Sequence, residues 1–457
     1  MVSPTQQLAA FVAGLTFEQI PEKTRNMVKT CALDTIGCAI AGSDAPETLA
    51  LISGLYEDGE EKKGQGFVWA KGFSTTKRRA ALINGAMAHA VEMDDLHKAS
   101  KTHPGAVIVP TVFTMGAPAK ITGRQAILAM ATGYETMIRL GEAVGTVSHR
   151  KRGWHATATC GTFGAAAAYS KILGTDEWTL RNAFGLAGTQ AAGLFTFLND
   201  GSLCKRFQVG KAAENGCLAI DLATAGLTGP TVILEAEESG YLKAVSDQYY
   251  FDKLLEGLGT QWKTEENGLK FYSCCGHTHQ AIFAAISLKK EHHLDPLQIE
   301  RVIVETYGVS GQNWGVRKVP ENSVEGQFNF PYVVAVGLMD GQVARPQFAP
   351  EKLRDPVINA LAERVDVRVS EELTARYPQE WCSTVTIRMK DGREFRREVV
   401  GAKGDPQNPL TTEEVVEKFN ILTQSYISAE KQRRICDALL HLEDCADIDA
   451  IQRMIVL

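Results

Sequence analysis

Between Ala90 and Val107 the chain reads AVEMDDLHKASKTHPGAV, and Glu92, Asp94, Asp95, His97, Lys98, Lys101 and His103 place seven ionisable side chains within twelve residues. The stretches on either side are apolar and rich in alanine and glycine. Carboxylates beside histidines are the materials of acid/base chemistry: a histidine exchanges protons near neutral pH, and a carboxylate orients and charge-tunes it. Asp94 and Asp95 are adjacent, so on a helix end they point roughly 100° apart. One of them can meet a substrate while the other caps or braces. His103 precedes Pro104, which biases it to an extended backbone, and Gly105 then lets a helix start close by. The plain alternative is a solvated loop between buried helices, so the case turns on whether other segments supply partners.

Three segments do. HRKRGWHATATCGTFG sets His155 at the entrance of a small-residue helix, where the backbone N–H groups of Thr157, Thr159 and Gly161 would seat an anion. NDGSLCKRFQVGK sets Lys205 and Arg206 just before an apolar helix; such a pair holds carboxylates, Arg bidentately and Lys as a point charge. GLKFYSCCGHTHQAI brings Lys270, two cysteines and two histidines to the point where the character of the chain changes. Taken singly, His155 reads as a packed histidine beside Trp154 and Lys205-Arg206 as a solvated charge pair; together the segments suggest one anion-handling site. A metal is not expected at CCGHTH. Cys274 and Cys275 lack the usual spacer, and His277 and His279 lie on opposite sides of a strand or far apart on a helix. No GxGxxG after a strand, Walker A loop, GxSxG or HExxH is present, so nucleotide binding and serine hydrolysis lack their signals.

The elements that must position these groups follow from length and pattern. At 457 residues the chain exceeds a single hydrophobic core, and two domains are expected. With 44% apolar and 22% charged residues it reads as an ordinary globular protein. A net charge of −6 leaves no basic footprint for nucleic acid, although a locally basic site can still take an anion. The N-terminus lacks the pattern of a signal peptide. The most apolar run, GAVIVPTVFTMGAPA, is cut by Pro110 and Pro118, so no membrane span is expected. Ten scattered cysteines without CxxC suggest reduced thiols in a cytoplasmic protein.

Helical spacing dominates the first 260 or so residues, with candidate caps at Ser74 and Thr75 and a stop at Gly229-Pro230. Past about residue 265 the pattern changes. IERVIVETYGV, VDVRVSEE and CSTVTIRMKDGREFRREVV read as strands, the last with a type I′ hairpin at Asp391-Gly392. HTHQAIFAAISLKKEH and FPYVVAVGLMDGQ intervene as helices, and Phe328, Phe330 and Tyr332 read as core. The expected fold is mainly α: a large helical domain over 1–266 and 403–457, with a smaller α+β domain inserted over 267–402.

LDTIGCAIAGS, NGAMAHAVEMDDLHKASKTHPGAVIVPTVF, GWHATATCGTFGAAAAYSKILG, KRFQVGKAAENG, LKFYSCCGHTH and KGDPQNPLTTEEVVEKF together resemble, from end to end and in order, the MmgE/PrpD family of 2-methylcitrate dehydratases, cis-aconitate decarboxylases and iminodisuccinate epimerases. The resemblance implies a large all-helical domain with a smaller α+β lid, a homodimer, and no metal or organic cofactor. It implies a site of Asp94, His103, His155, Lys205 and Lys270, and His279 matches a family histidine, whereas His277 has no counterpart. Dehydratases of the family carry a Trp-Gly-His-Pro-Ser-Asp-Asn-like segment where this chain has KTHPGAV. VEMDDLH, His103, KRFQ and FYSCCG are closer to the fungal cis-aconitate decarboxylases.

The implied chemistry passes through an anion beside a carboxylate, which fixed positive charge must stabilise. Lys205, Arg206 and Lys270 suit that task. His103 is expected to transfer the proton, His155 to be its partner or a carboxylate clamp, and Asp94 to orient a histidine; Asp95, His97 and His279 join Lys270 and Arg206 as substrate-binding candidates. The expected reaction is decarboxylation of cis-aconitate, a small polycarboxylate, to itaconate. Dehydration of 2-methylcitrate is the alternative, followed by an iminodisuccinate-type epimerase and a non-catalytic acid-binding homodimer.

Overall fold

A computed structural model describes residues 2–56, 64–311 and 319–456. They divide into two units: Met1–Thr196, Leu203–Gly268 and Thr411–Leu457 form the first, and Phe197–Ser202 with Leu269–Leu410 the second. The chain thus leaves the first unit two residues later than the pattern change suggests, because Gly268 exchanges backbone hydrogen bonds with Leu96. It returns at 411 rather than 403, because Leu269 N–H donates to the Gly404 carbonyl and keeps that turn in the second unit.

The first unit is helical. Six of its helices matter here: α1 (Glu22–Ala41), α2 (Lys77–Ala90), α3 (Gly105–Gly116), α4 (Gly123–Ala143), α5 (Ala156–Leu173) and α6 (Cys204–Thr224). α4 packs on α5, α5 on α6, and α6 on α2. Small residues permit this. α2 and α6 cross at Gly85 and Gly210, where a Cβ on Gly210 would fall 2.1 Å from the Leu82 carbonyl oxygen. Every residue of α3 is buried, in keeping with its largely apolar sequence, and Pro110 lies inside the helix.

Two expected boundaries move. Thr76, not Ser74 or Thr75, caps α2 by accepting from Arg79 N–H; Ser74 and Thr75 lie in a short strand, Phe73–Thr75, paired with Gly66–Val68. α6 stops before Gly229-Pro230, because Gly226 takes a left-handed φ of 97° and Leu227 N–H reaches back to the Leu222 carbonyl, a glycine-terminated end.

The second unit holds a four-stranded mixed sheet. β1 (Ile299–Thr306) runs parallel to β2 (Val365–Val369) and antiparallel to β3 (Ser383–Met389), which pairs antiparallel with β4 (Glu394–Val399). Val302, Val304, Val385 and Ile387 pack with Ile282 and Ala285 of α7 (His279–Glu291) and with Val333 and Val336 of α8 (Phe330–Asp340). Phe330 and Tyr332 belong to that core. The β3–β4 connection is not a type I′ turn, which needs positive φ at both central residues. Only Gly392 is left-handed (φ 87°), and Met389 N–H donates to the Arg393 carbonyl across a three-residue loop. Among the described residues no helix is long and apolar enough to cross a membrane.

Gly210→Ala is expected to destabilise the protein by about 1–3 kcal/mol, because backbone must yield to the added methyl. Gly14→Ala, where a Cβ meets nothing within 4 Å, is expected to raise stability by about 0.5 kcal/mol. Urea unfolding of both variants checks the contrast.

Candidate active site

The ionisable segment is a turn between α2 and α3, and it is buried: Glu92, Asp94, Asp95, His97 and His103 are each at most 8% exposed. A solvated loop is therefore excluded. The turn is pinned from several elements. Leu96 pairs with Gly268 and His97 with Thr102 through backbone hydrogen bonds. From α9 (Thr412–Thr423), Lys418 Nζ donates to the Met93 carbonyl at 2.7 Å and pairs with Asp34 of α1 at 2.5 Å.

The two aspartates divide their labour as adjacent residues must. Asp95 braces. Its carboxylate accepts from Gly105 N–H at the start of α3 (2.8 Å), the Tyr134 hydroxyl (2.8 Å) and Asn267 Nδ2 (2.6 Å). Burial, then the charges of Asp94 and Asp34, push its carboxyl up to about 7, against the bonds from Tyr134 and Gly105. Gly105 must be glycine here, since a Cβ would sit 2.2 Å from Thr35 Oγ1.

Asp94 faces two histidines. Its Oδ2 lies 2.8 Å from His89 Nδ1 and 3.3 Å from His103 Nδ1. His103 Nδ1 is also 2.8 Å from the Asp95 carbonyl oxygen. A carbonyl can only accept, so His103 Nδ1 carries a proton, which leaves Nε2 as the nitrogen that can exchange one. Burial would raise the Asp94 carboxyl, but His89 and His103 hold it well below the usual carboxylate range. His89 is driven the other way: burial lowers it to about 3, with Asp94 opposing and Lys205 adding to the effect.

His155 caps the start of α5 with its Nδ1 3.0 Å from Gln208 Oε1; that amide is oriented by Nε2 donating to the Leu194 carbonyl at 2.9 Å. His155 Nδ1 is therefore the protonated nitrogen. Burial, then the charge of Lys205, lowers it well below the ordinary histidine range. The His89 ring lies 4.7 Å from that of His103 and 6.5 Å from that of His155, so three imidazoles form one cluster. The expected anion seat is narrower than its motif suggests. Thr159 N–H is spent on the His155 carbonyl, Gly161 lies a full turn inside α5, and the Thr157 hydroxyl accepts from His103 N–H.

Lys205 and Arg206, both buried at the start of α6, meet carboxylates of the protein. Lys205 Nζ is 2.5 Å from each oxygen of Glu92, and Arg206 is 3.3 Å from Glu47 and 3.6 Å from Glu92. His97 belongs elsewhere. Its Nδ1 accepts from Ser100 N–H, and its Nε2 lies 3.9 Å from Glu266, in a group with Glu142.

In the second unit Lys270 is buried, and His279 opens α7 with Nε2 3.4 Å from the Cys274 carbonyl and its ring against Tyr272. His277 stacks on Trp381 at 4.1 Å, and its Nδ1 lies 2.6 Å from the Tyr307 hydroxyl.

His89, Asp94 and His103 offer donor atoms within 4.8 Å of one another, a spacing a metal ion could use. The hydrogen bonds argue for protons instead: the His103 nitrogen nearest Asp94 is bound to a carbonyl and so is protonated. His89, Glu92, Glu47, Gln208, Asp34 and Lys418 belong to this arrangement and are not among the sequence-derived candidates. The available signal for His89 is a lone histidine in an alanine-rich helix five residues before Asp94.

Residues 6–253 match the MmgE/PrpD N-terminal domain and residues 272–444 the MmgE/PrpD C-terminal domain. A cis-aconitate decarboxylase-like protein of Aspergillus oryzae is 29% identical over 99% of this chain and 97% of its own length. The cis-aconitate decarboxylase of Aspergillus terreus is 28% identical over 99% and 95%. A 2-methylcitrate dehydratase of Salmonella typhimurium is 24% identical over 90% and 88%.

The buried histidines make stability pH-dependent. His89 and His97 are lowered to about 3 and His149 to about 4, so between pH 4 and 6.5 the unfolded chain binds more protons than the folded one. Unfolding free energy should fall as pH drops through that window, by about 1 kcal/mol per pH unit for each histidine, with the raised Asp95 carboxyl offsetting one of them. Urea unfolding from pH 7 to 5 measures the slope. His97→Asn should lessen it by one proton's worth, and an unchanged slope would refute the assignment.

Proposed function

The chain belongs to the MmgE/PrpD family, and on that premise we propose that it is a lyase that decarboxylates cis-aconitate to itaconate. The observation that carries this reading is Asp94 held ionised against His103 Nδ1, with neutral His89 and His155 beside it. The likeness to the Aspergillus decarboxylases over 99% of this chain supports it. The substrate is a small polycarboxylate, the partner a second copy of the chain, and no resident cofactor is invoked.

In this mechanism the bond from the substrate's methylene carbon to its carboxylate breaks and CO₂ leaves. The electron pair delocalises through the neighbouring double bond onto the carbon beside another carboxylate. His103, as an imidazolium stabilised by Asp94, delivers its Nε2 proton to that carbon, giving itaconate. A proton taken up from solvent then restores the imidazolium, so that each turnover consumes one proton. Fixed cations oppose the charge on the allylic anion, the task proposed for Lys205 and Arg206. A neutral His155 with Nδ1–H committed to Gln208 presents an acceptor, which favours the proton-partner role over the carboxylate clamp. Lys270 and His279 remain substrate-binding proposals resting on the motif match; Asp95, whose carboxylate accepts three hydrogen bonds, and His97, turned to Ser100, act by bracing the turn.

Dehydration of 2-methylcitrate is the second reading, favoured by the likeness to the Salmonella dehydratase and disfavoured by KTHPGAV. Chelator-treated protein incubated separately with cis-aconitate, 2-methylcitrate and citrate, followed by NMR and CO₂ release, separates the two. Itaconate with CO₂ is expected; 2-methylaconitate without CO₂ would replace the decarboxylase reading. His103→Ala and Asp94→Asn should each lower kcat/KM by about 10²–10⁴-fold, and unchanged turnover in His103→Ala would overturn the assignment.

A further inference from the structure

The cations proposed to hold substrate are not waiting for an anion. Lys205 already has both oxygens of the Glu92 carboxylate at 2.5 Å, and Arg206 lies between Glu92 and Glu47. Lys205 and Glu92 are 3% and 1% exposed, so water screens this pair weakly. Glu92 reaches its place at a backbone cost: its φ is +55°, a left-handed conformation that L side chains seldom adopt. It also sits in the same turn as Asp94, two residues away, which ties the anion clamp to the proton-transfer group. The Lys205 charge is felt at both His89 and His155, so whatever sets the net charge on Lys205 sets the field across the histidine cluster.

We infer that Glu92 is a resident counter-anion that occupies Lys205 as a substrate carboxylate would, and that it sets the affinity of the site for polycarboxylates; the inference rests on the polycarboxylate reading above. Lys205 and Arg206 each already face a protein carboxylate, which lowers the positive charge they present to a ligand. A trianionic substrate must share Lys205 with Glu92 rather than meet a bare ammonium. Weak net attraction suits a reaction that converts a trianion to a dianion and CO₂, because a strongly cationic site would retain the product. Glu92 is thus a specificity-determining residue through charge, without touching the bonds that change.

Tricarballylate, a saturated tricarboxylate with neither double bond nor hydroxyl to react, is the probe. Calorimetric titration of wild type, Glu92→Gln and Glu92→Asp at several salt concentrations tests the inference. Glu92→Gln, near-isosteric but neutral, should bind at least about tenfold more tightly, with steeper salt dependence, and should be inhibited more strongly by itaconate. Glu92→Asp keeps the charge and should stay within about threefold of wild type. Circular dichroism and thermal unfolding establish that the variants are folded. Wild-type binding with no gain in folded Glu92→Gln overturns the inference alone, as does Glu92→Asp binding as tightly as Glu92→Gln. Binding by none of the three proteins overturns the inference and the polycarboxylate reading together.

Discussion

One buried carboxylate organises the first unit's chemistry. Asp94 is fully excluded from solvent, and such a group stays ionised only if the protein supplies compensating donors. His89 and His103 supply them from opposite ends of the same turn, one from the last residues of α2 and the other from the approach to α3. Because both imidazoles present Nδ1 to the same oxygen, their tautomers are fixed, and with them the nitrogens left for substrate. Moving Asp94 would release both rings at once.

Much of the surrounding structure holds that turn still. Asp95 closes the start of α3 and takes bonds from α4 and from Asn267. Lys418 reaches in from the C-terminal helix α9 to hold the Met93 carbonyl and to pair with Asp34. The Gly85–Gly210 crossing brings α6 against α2, and α6 bears Lys205 at its start. Small residues at the helix crossings and charges at the helix ends are parts of one arrangement: close backbone approach is what lets a lysine on one helix meet a glutamate just past the end of another.

Legibility differed by kind of feature. The helical character of the first unit and the strands IERVIVET and STVTIRM follow from periodicity. Turn chemistry is less legible. KDGR has the residues of a type I′ hairpin, but one more residue enters the loop and only Gly392 turns left-handed. Thr76 took the cap expected of Ser74 or Thr75 because those two were used in a strand pair.

For the candidate site, the sequence alone determined which residue types were available and where the unusual cluster lay. Seven ionisable groups between apolar helices could not be ordinary core, and the separate His155, Lys205-Arg206 and Lys270 segments matched one family in order. Tertiary structure decided the pairings. Asp94 rather than Asp95 meets the histidines, because adjacent side chains diverge and Gly105 and Tyr134 claim the second. His97 turns to Ser100 and Glu266. His89 enters because the end of α2 folds back toward Asp94, and Lys205 meets Glu92 because two helices distant in sequence cross at glycines. Residue chemistry is local and can be read along the chain; hydrogen-bond partners depend on which backbones approach within a few ångströms, and only the packed fold sets that.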